Sequence, residues 1–172
     1  MFCLRIVGID PGYAIVGWGV IEYDLNRFKT LKFGAITTPA HTDFDKRLES
    51  IYNDAFTLFQ KAKPDALAIE KLFFNTNATT AIDVAQARGV IVLAAKQNGV
   101  PVFEYTPLQV KQAVTGYGRA EKRQVMELTK QFLGLSEVPK PDDTADALAL
   151  AICHAYSSST TYSKLVREAK KK

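Results

Sequence analysis

The sequence predicts an α/β domain in which a mixed central sheet is flanked by helices. Three β-rich runs come first, and the rest of the chain alternates short apolar strands with helices. Consecutive strands favour an antiparallel meander, whereas strands separated by helices favour parallel pairing, so both kinds of pairing are expected in one sheet. With 172 residues, of which 47% are hydrophobic, the chain has the composition of one globular domain with a sizeable core.

The first strand carries a carboxylate to its end. Ile6, Val7 and Ile9 favour a buried strand, and Pro11-Gly12 ends it because proline lacks the N–H group that a strand ladder needs. Asp10 is therefore expected where the sheet meets solvent. A carboxylate there needs a hydrogen bond, an opposite charge or a cation. Asp10 thus either caps the following turn or belongs to a site that other residues complete.

Two further strands and the first helix follow. The β-rich runs at 15–23 and 31–37 continue the meander. Thr42 and Asp45 have the spacing of a capping box, after which apolar residues recur at helical spacing until Pro64. This stripe, predicted to pack in the core, consists of Phe44, Leu48, Ile51, Ala55, Leu58 and Ala62.

The next strand and helix bring a second carboxylate and a surface of small residues. A short buried strand at 66–69 leads directly to Glu70, and Asn77 is suited to cap a helix that runs to about Asn98. This helix is rich in small residues: Ala78, Ala81, Ala85, Ala87, Gly89, Ala94 and Ala95. Small residues allow another helix to approach closely, either within the monomer or across a dimer.

The last elements are a strand and three helices. Residues 101–105 form the fifth predicted strand, and Thr106 and Gln109 fit the N-cap and N3 positions of the helix after it. A glycine-containing basic elbow at 116–123 leads into another helix, and Pro141 precedes the last one. The resulting order, with extra helices before the last, is that of the mixed α/β sheet predicted above.

The charge is concentrated at the C-terminus. The last 13 residues hold five basic side chains and one acidic one, which accounts for the whole net charge of +4. We therefore divide the chain into a globular domain at 1–158 and a flexible basic tail at 159–172, which is either a solvated end or an auxiliary nucleic-acid contact.

The sequence also bears on location. No apolar run has membrane-spanning length, which predicts a soluble, cytoplasmic protein. Cys3 and Cys153 both lie in apolar sequence and are expected to be reduced core residues.

Two more carboxylates lie at the start of the last helix. Asp143 and Asp146 are three residues apart, so both can project from one face of its first turn, whereas Asp142 is explained by capping alone. If this helix packs across the ends of the strands that carry Asp10 and Glu70, four carboxylates converge. Such a cluster repels itself unless cations fill it, and oxygen ligands favour Mg²⁺ or Mn²⁺ over zinc.

In combination, several segments resemble the RuvC family of crossover junction endodeoxyribonucleases. They occur in the family's order from the first strand to about His154. The matching segments are IDPG at 9–12, GWG at 17–19, Ile69-Glu70 followed by Phe73, AQARG at 85–89, VKQ at 110–112, AEK at 120–122 and DTADALA at 143–149.

The resemblance implies that the domain at 1–158 is a nuclease domain with an RNase H-like fold and a five-stranded mixed sheet. It implies a homodimer that resolves four-way Holliday junctions by symmetric paired nicks in homologous recombination and DNA repair, beside a branch-migration motor. Carried over by position, Asp10, Glu70, Asp143 and Asp146 would be the catalytic residues and would hold two Mg²⁺ ions, which Mn²⁺ could replace. The small-residue helix at 78–95 resembles the dimer helix of the family.

The resemblance also gives candidate DNA contacts. An aromatic at the position of Phe73 stacks on bases in the family, whereas Phe74 either assists or packs inward; without the family, both aromatics favour a core role. Basic residues near the elbow would contact phosphates rather than remain a solvated helix face. These are Lys111, Arg119, Lys122 and Arg123, of which Lys111 and Lys122 match best.

Other interpretations of the sequence stay open. Asp10, Gly12 and Gly17 fit the phosphate-binding loop of the actin and sugar-kinase ATPases. Those proteins need two RNase H-like lobes around the nucleotide, and this short chain shows only one such loop. An RNase H-like nuclease acting on RNA and a non-catalytic junction-binding module are further alternatives; clustered carboxylates would not help a surface whose only task is to bind DNA. His154 is interpreted as a packed helix residue, outside the site.

Overall fold

In the computed structural model the backbone is described at residues 3–72 and 78–169, and side chains at 3–72 and 81–159. Five strands and five helices follow one another in this part of the chain. Their bounds are β1 Leu4–Asp10, β2 Ile15–Asp24, β3 Arg27–Thr37, α1 Phe44–Ala62, β4 Ala66–Glu70, α2 Ala78–Gln97, β5 Val102–Tyr105, α3 Pro107–Thr115, α4 Lys122–Phe132 and α5 Asp142–Ala169.

The strands form one mixed sheet in the order β3-β2-β1-β4-β5. β1, β2 and β3 pair antiparallel, whereas β4 pairs parallel with both β1 and β5. The predicted α/β class and the five-stranded mixed sheet are therefore confirmed. The parallel pairs bring the C-terminal ends of β1, β4 and β5 to the same edge of the sheet.

Helices cover both faces of the sheet, and the side chains of each strand alternate between the two faces. Val7 and Ile9 of β1 pack with α1 and α2, whereas Ile6 packs on the opposite face with α5. The apolar stripe of α1 lies in the first of these two clusters, with Ile51 and Ala55 fully buried. Asp10 and Glu70 thus end strands that are fixed by packing on both sides.

Helix α5 lies directly on the backbone of β1 and β2. A Cβ atom built on Gly8 would be 1.9 Å from the Ala147 carbonyl oxygen, and one built on Gly17 would be 2.0 Å from that of Asp143. Only glycine leaves room for this approach. Since Gly17 pairs with Asp10, the first turn of α5 is placed over the end of β1.

Some of the small residues of α2 pack inside the monomer. Ala87, Ala94 and Ala95 are fully buried among core residues contributed by α1 and the sheet. On another side of the helix, Ile82 and Leu93 are half exposed, and a Cβ on Gly89 would meet nothing within 4 Å. Close packing within the monomer is confirmed, and a separate exposed surface remains.

Two helix starts can be compared with their predictions. Thr106 and Gln109 form the predicted capping box, in which each side chain accepts a hydrogen bond from the other residue's backbone N–H. The predicted box at Thr42 and Asp45 is wrong, because Asp43 occupies the N-cap and makes no side-chain cap hydrogen bond. The chain turns into α1 one residue later than the spacing suggested.

The two cysteines differ. Cys153 is buried in α5 as predicted, but Cys3 is exposed, so its predicted core position is wrong. The physical reason is that Cys3 precedes the first paired residue of β1, Leu4, and so lies outside the sheet.

The C-terminal helix is long. The backbone of α5 runs without a break past residue 158 to Ala169, so no change of element marks the proposed start of a tail. The division into domain and tail stays a prediction. Within the described part of the chain, none of the helices combines the length and apolarity needed to cross a bilayer.

Candidate active site

Asp10 and Glu70 end two neighbouring parallel strands. The β1–β4 register pairs Ile9 with Ile69, and the next residue along each strand is one of these carboxylates. Both residues are partly buried, whereas the apolar residues before them are fully buried. The sheet therefore delivers two carboxylates side by side to its edge.

The start of α5 adds the other two acidic residues. Asp143 lies where the helix meets Gly17, the strand partner of Asp10, and Asp146 follows one turn later. Both side chains are partly buried, and Asp142 is exposed. A helix N-terminus carries partial positive charge, which favours carboxylates in this position.

The pKa shifts show that the acidic side chains interact electrostatically. Burial, followed by the charges of Glu70, Asp146 and Asp143, raises the pKa of Asp10 to about 8. Burial and the charge of Asp146 raise the pKa of Glu70, and burial also raises that of Asp146. The carboxylates therefore form one electrostatic cluster with an excess of negative charge.

Lys122 places a cation against the cluster. Its Nζ lies 2.9 Å from Asp146 Oδ2 and 3.7 Å from Asp142 Oδ2. The hydrogen bond to Asp146 is the main cause that raises the pKa of Lys122, and the Lys122 charge in turn lowers that of Asp10 and Glu70. One ammonium group does not offset burial and mutual repulsion, since the pKa values of Asp10, Glu70 and Asp146 remain raised.

The donor set has the chemistry of a magnesium site. All four side chains offer carboxylate oxygens, the ligands that Mg²⁺ and Mn²⁺ prefer, and the raised pKa values among them indicate a need for positive charge. Among the described residues, no three Asp, Glu, His or Cys side chains lie close enough together to hold one metal ion. The donors fit a hard divalent cation in chemistry, while Asp146 is engaged by Lys122.

A cleft of about 260 Å³ adjoins the cluster. Glu70, Lys111, Lys122 and Asp146 all line it, which brings two predicted phosphate contacts together with two predicted catalytic carboxylates. Its apolar wall consists of Pro107, Val110, Val125 and Leu150. Lys111 thus approaches the acidic cluster from α3, and Lys122 from the start of α4.

The remaining predicted DNA contacts are placed differently. Arg119 and Arg123 are exposed near the start of α4 and do not line this cleft. Phe73 and Phe74 lie outside the described residues, so their predicted roles stay predictions.

His154 is a packed residue, as predicted. It is 5% exposed, its Nδ1 lies 2.7 Å from the Tyr105 hydroxyl oxygen, and its ring lies 4.4 Å from that of Phe103. Burial lowers its pKa to about 4. These contacts hold α5 against β5 and leave the imidazole out of the carboxylate cluster.

Sequence reasoning missed two contacts of the site. Lys122 was predicted to contact phosphate, but its pairing with Asp146 was not foreseen. Arg88, part of the AQARG segment, donates from Nε to the backbone carbonyl of Glu70 at 3.2 Å. The segment marked Arg88 as notable, but no local pattern reveals a partner 18 residues away.

The raised pKa of Asp10 predicts how stability depends on pH. Its folded pKa of about 8 exceeds the value near 3.8 expected when the chain is unfolded, so the folded state binds the extra proton. With EDTA present to remove metal ions, the stabilisation that comes from this bound proton is complete below about pH 4 and is lost as the pH rises to about 8. We expect Asp10→Asn to exceed wild type by about 1 to 3 kcal/mol in unfolding free energy at pH 8 and by little at pH 4.5.

Urea unfolding at the two pH values measures this difference. Asp54→Asn, which changes an exposed aspartate on α1, serves as the matched control and should not reproduce the effect. Equal stability of Asp10→Asn and wild type at pH 8 would contradict the electrostatic coupling.

The sheet order and the position of α5 define a class of protein. A mixed five-stranded sheet that carries acidic residues at the ends of β1 and β4, crossed by a helix with acidic residues in its first turn, is an RNase H-like α/β domain. Residues 6–154 match the model of the family described as crossover junction endodeoxyribonuclease RuvC. The chain belongs to the RuvC family.

Relatives and solved structures agree with this placement. The chain is 58% identical to the crossover junction endodeoxyribonuclease RuvC of Clostridioides difficile, over 89% of this chain and 90% of the relative. A Thermus thermophilus RuvC structure is 34% identical with a TM-score of 0.86, covering 92% of this chain and 97% of that one. Thermus thermophilus RuvC in complex with a Holliday junction substrate has a TM-score of 0.88 at 34% identity, covering 92% and 96%.

Proposed function

We propose that this protein is a Mg²⁺-dependent endonuclease that resolves four-way Holliday junctions by symmetric paired nicks in homologous recombination and DNA repair. The observation that carries the proposal is the electrostatic cluster formed by Asp10, Glu70 and Asp146, whose pKa values are all raised. The junction complex of a 34% identical RuvC supports the choice of substrate. The protein would act in the cytoplasm, together with a branch-migration motor complex.

The four carboxylates Asp10, Glu70, Asp143 and Asp146 would hold two Mg²⁺ ions, which Mn²⁺ could replace. The chemistry that such ions would supply when bound is activation of water and stabilisation of the leaving oxygen in phosphodiester hydrolysis. Asp10 and Glu70 are held by paired strands, and the aspartates of α5 by its packing on Gly17. The chain's own contribution is thus to keep four oxygen donors on rigid elements.

Lys111 and Lys122 would guide the DNA backbone to these carboxylates. Both line the cleft that contains Glu70 and Asp146, and Lys122 can exchange its carboxylate partner for a phosphate. Arg119 and Arg123 would extend the contact along the exposed elbow. Phosphate contacts position DNA without reading its sequence, and they make binding weaken as salt increases.

The exposed surface of α2 supports a homodimer. Ile82, Gly89 and Leu93 recur at helical spacing and leave an apolar strip with room for a close neighbour. Two copies related by a two-fold axis would present two acidic clusters to two symmetry-related strands of a junction.

Phe73, three residues after Glu70 in the sequence, is proposed to stack on a base at the opened crossover. Base stacking on an aromatic contributes about 1 to 3 kcal/mol, so Phe73→Ala should slow nicking about tenfold to a hundredfold while the protein stays dimeric. Single-turnover cleavage and light scattering measure these two properties. Phe73→Leu keeps apolar bulk without the ring and should be nearly as slow; unchanged turnover of both variants would refute stacking.

Substrate competition tests the proposed function against the alternatives. A labelled four-way junction is cleaved with Mg²⁺ in the presence of unlabelled junction, linear duplex or RNA–DNA hybrid. We expect only the junction to compete effectively and EDTA to stop cleavage. Equal competition by the hybrid would favour an RNA-directed nuclease, and binding without nicking in Mg²⁺ would favour a non-catalytic module.

A further inference from the structure

Arg88 reaches from α2 to the end of β4. Its Nε donates a hydrogen bond to the Glu70 carbonyl oxygen at 3.2 Å, and its Nη2 forms an ion pair with Glu104 Oε1 on β5. The Arg88 side chain is only 18% exposed. One guanidinium therefore ties a helix to two adjacent strands at the residue that carries a proposed metal ligand.

The Arg88 contacts act at the end of β4, where the strand has a partner on one side only. The described pairing of β4 with β1 stops at Ile69, and its last register partner on β5 is Tyr105, opposite Glu70. One further hydrogen bond runs from the Lys71 N–H to the Tyr105 carbonyl at 2.9 Å. Glu70 thus belongs to the sheet on one side only, and the Arg88 hydrogen bond acts on this last strand residue.

The geometry requires arginine. A guanidinium presents several N–H donors in a rigid plane, so Arg88 can serve the carbonyl and the carboxylate together, whereas lysine has a single ammonium on a flexible stem. The base of Arg88 is fixed because its neighbour Ala87 is fully buried against the core. Glu104 keeps the guanidinium turned towards the strand ends.

The ion pair alone would contribute little to stability. Glu104 is 46% exposed, so solvent screens the attraction between the two charges. Position matters more, because rotation of the Glu70 backbone would swing its carboxylate relative to Asp10. A misplacement of about 1 Å can cost about a hundredfold in rate.

We propose that Arg88 is a positioning residue for Glu70: by holding the Glu70 carbonyl, it sets the direction of the Glu70 carboxylate in the acidic cluster. This role rests on the proposed function of the site. Residues that orient metal ligands typically affect metal affinity or activity by about 10-fold to 100-fold when they are replaced.

The test compares Arg88→Met, Arg88→Lys and Glu104→Gln with wild type. Arg27→Met, which removes an exposed arginine from β3, is the matched control for loss of one positive charge. Two readouts are used: Mn²⁺ affinity from the electron paramagnetic resonance signal of free Mn²⁺, and single-turnover junction cleavage during a Mg²⁺ titration. Unfolding in urea monitors stability.

We expect Arg88→Met to bind Mn²⁺ about tenfold more weakly and to nick about 10-fold to 100-fold more slowly at limiting Mg²⁺. Saturating Mg²⁺ should recover part of the rate. Arg88→Lys should lie between Arg88→Met and wild type, and Glu104→Gln should lose only a few-fold, since the carbonyl hydrogen bond remains. Arg27→Met should match wild type in both readouts.

The outcomes separate the two proposals. Wild-type Mn²⁺ affinity and wild-type Mg²⁺ dependence in Arg88→Met would overturn the positioning role, as would a rate loss explained entirely by unfolded protein. If wild-type protein never nicks a junction but Arg88→Met still weakens Mn²⁺ binding, the proposed function fails while the positioning role stands.

Discussion

Replacing Asp10 with asparagine is expected to slow junction nicking by at least about 10³-fold, equivalent to about 4 kcal/mol of lost transition-state stabilisation. The asparagine side chain would keep the size of the aspartate, but it would replace one acceptor oxygen with an NH₂ donor and would lack the charge that a divalent cation needs. Glu70→Gln should behave in the same way, because Glu70 ends the adjacent strand. Single-turnover cleavage with Mg²⁺ measures both effects.

Junction affinity should change little in these variants. The basic residues that would contact phosphate, Lys111 and Lys122 among them, remain in place, and removing negative charge from the cluster does not weaken an attraction to DNA. Binding is measured in EDTA at fixed salt, alongside urea unfolding. Loss of binding together with unfolding would assign Asp10 and Glu70 a structural role and contradict their role as ligands.

Replacing Gly8 with alanine is expected to destabilise the fold by about 3 kcal/mol or more. The new methyl group would lie 1.9 Å from the Ala147 carbonyl oxygen and 3.0 Å from the Ala151 nitrogen. Both are backbone atoms of α5, so relief requires the whole helix to lift from β1. Because α5 also carries Asp143 and Asp146, the folded fraction should lose nicking activity as well.

Gly19→Ala provides the control for Gly8→Ala. Its methyl group would approach Leu148 Cδ2 too closely, but this is a side-chain atom that can rotate away. We expect a smaller loss, about 1 to 2 kcal/mol, with activity retained in the folded protein. Urea unfolding of both variants gives the comparison, and a Gly8→Ala protein as stable as wild type would show that α5 does not rest on β1 as described.

Local sequence patterns predicted the elements well where a local rule applied. The β1 run ended by Pro11, the capping box at Thr106 and the first-turn aspartates of α5 all follow from neighbouring residues. Errors arose where a local rule allowed two answers. Thr42 and Asp43 are both suitable N-cap residues, and Cys3 lies one residue before the point where pairing with β2 begins.

The meeting of the carboxylates could be suspected from the sequence, but local patterns do not establish it. Asp10 and Glu70 are distant in the chain, and their adjacency depends on the parallel β1–β4 register, which no local pattern specifies. The contact of Lys122 with Asp146 and that of Arg88 with the Glu70 carbonyl depend on tertiary packing in the same way. The strand ends and the spacing at the start of α5 indicated the four carboxylates, the family resemblance indicated their roles and the DNA contacts, and the structure showed the electrostatic coupling.

One measurement tests the central claim most directly: cleavage of a mobile four-way junction by wild-type protein in Mg²⁺, with each strand labelled in turn so that both nicks are mapped. We expect two nicks at symmetry-related positions on opposing strands, absent in EDTA and absent with Asp10→Asn. A junction that is bound but never nicked in Mg²⁺, or nicked equally well by Asp10→Asn, would contradict the assignment of a metal-dependent resolvase site.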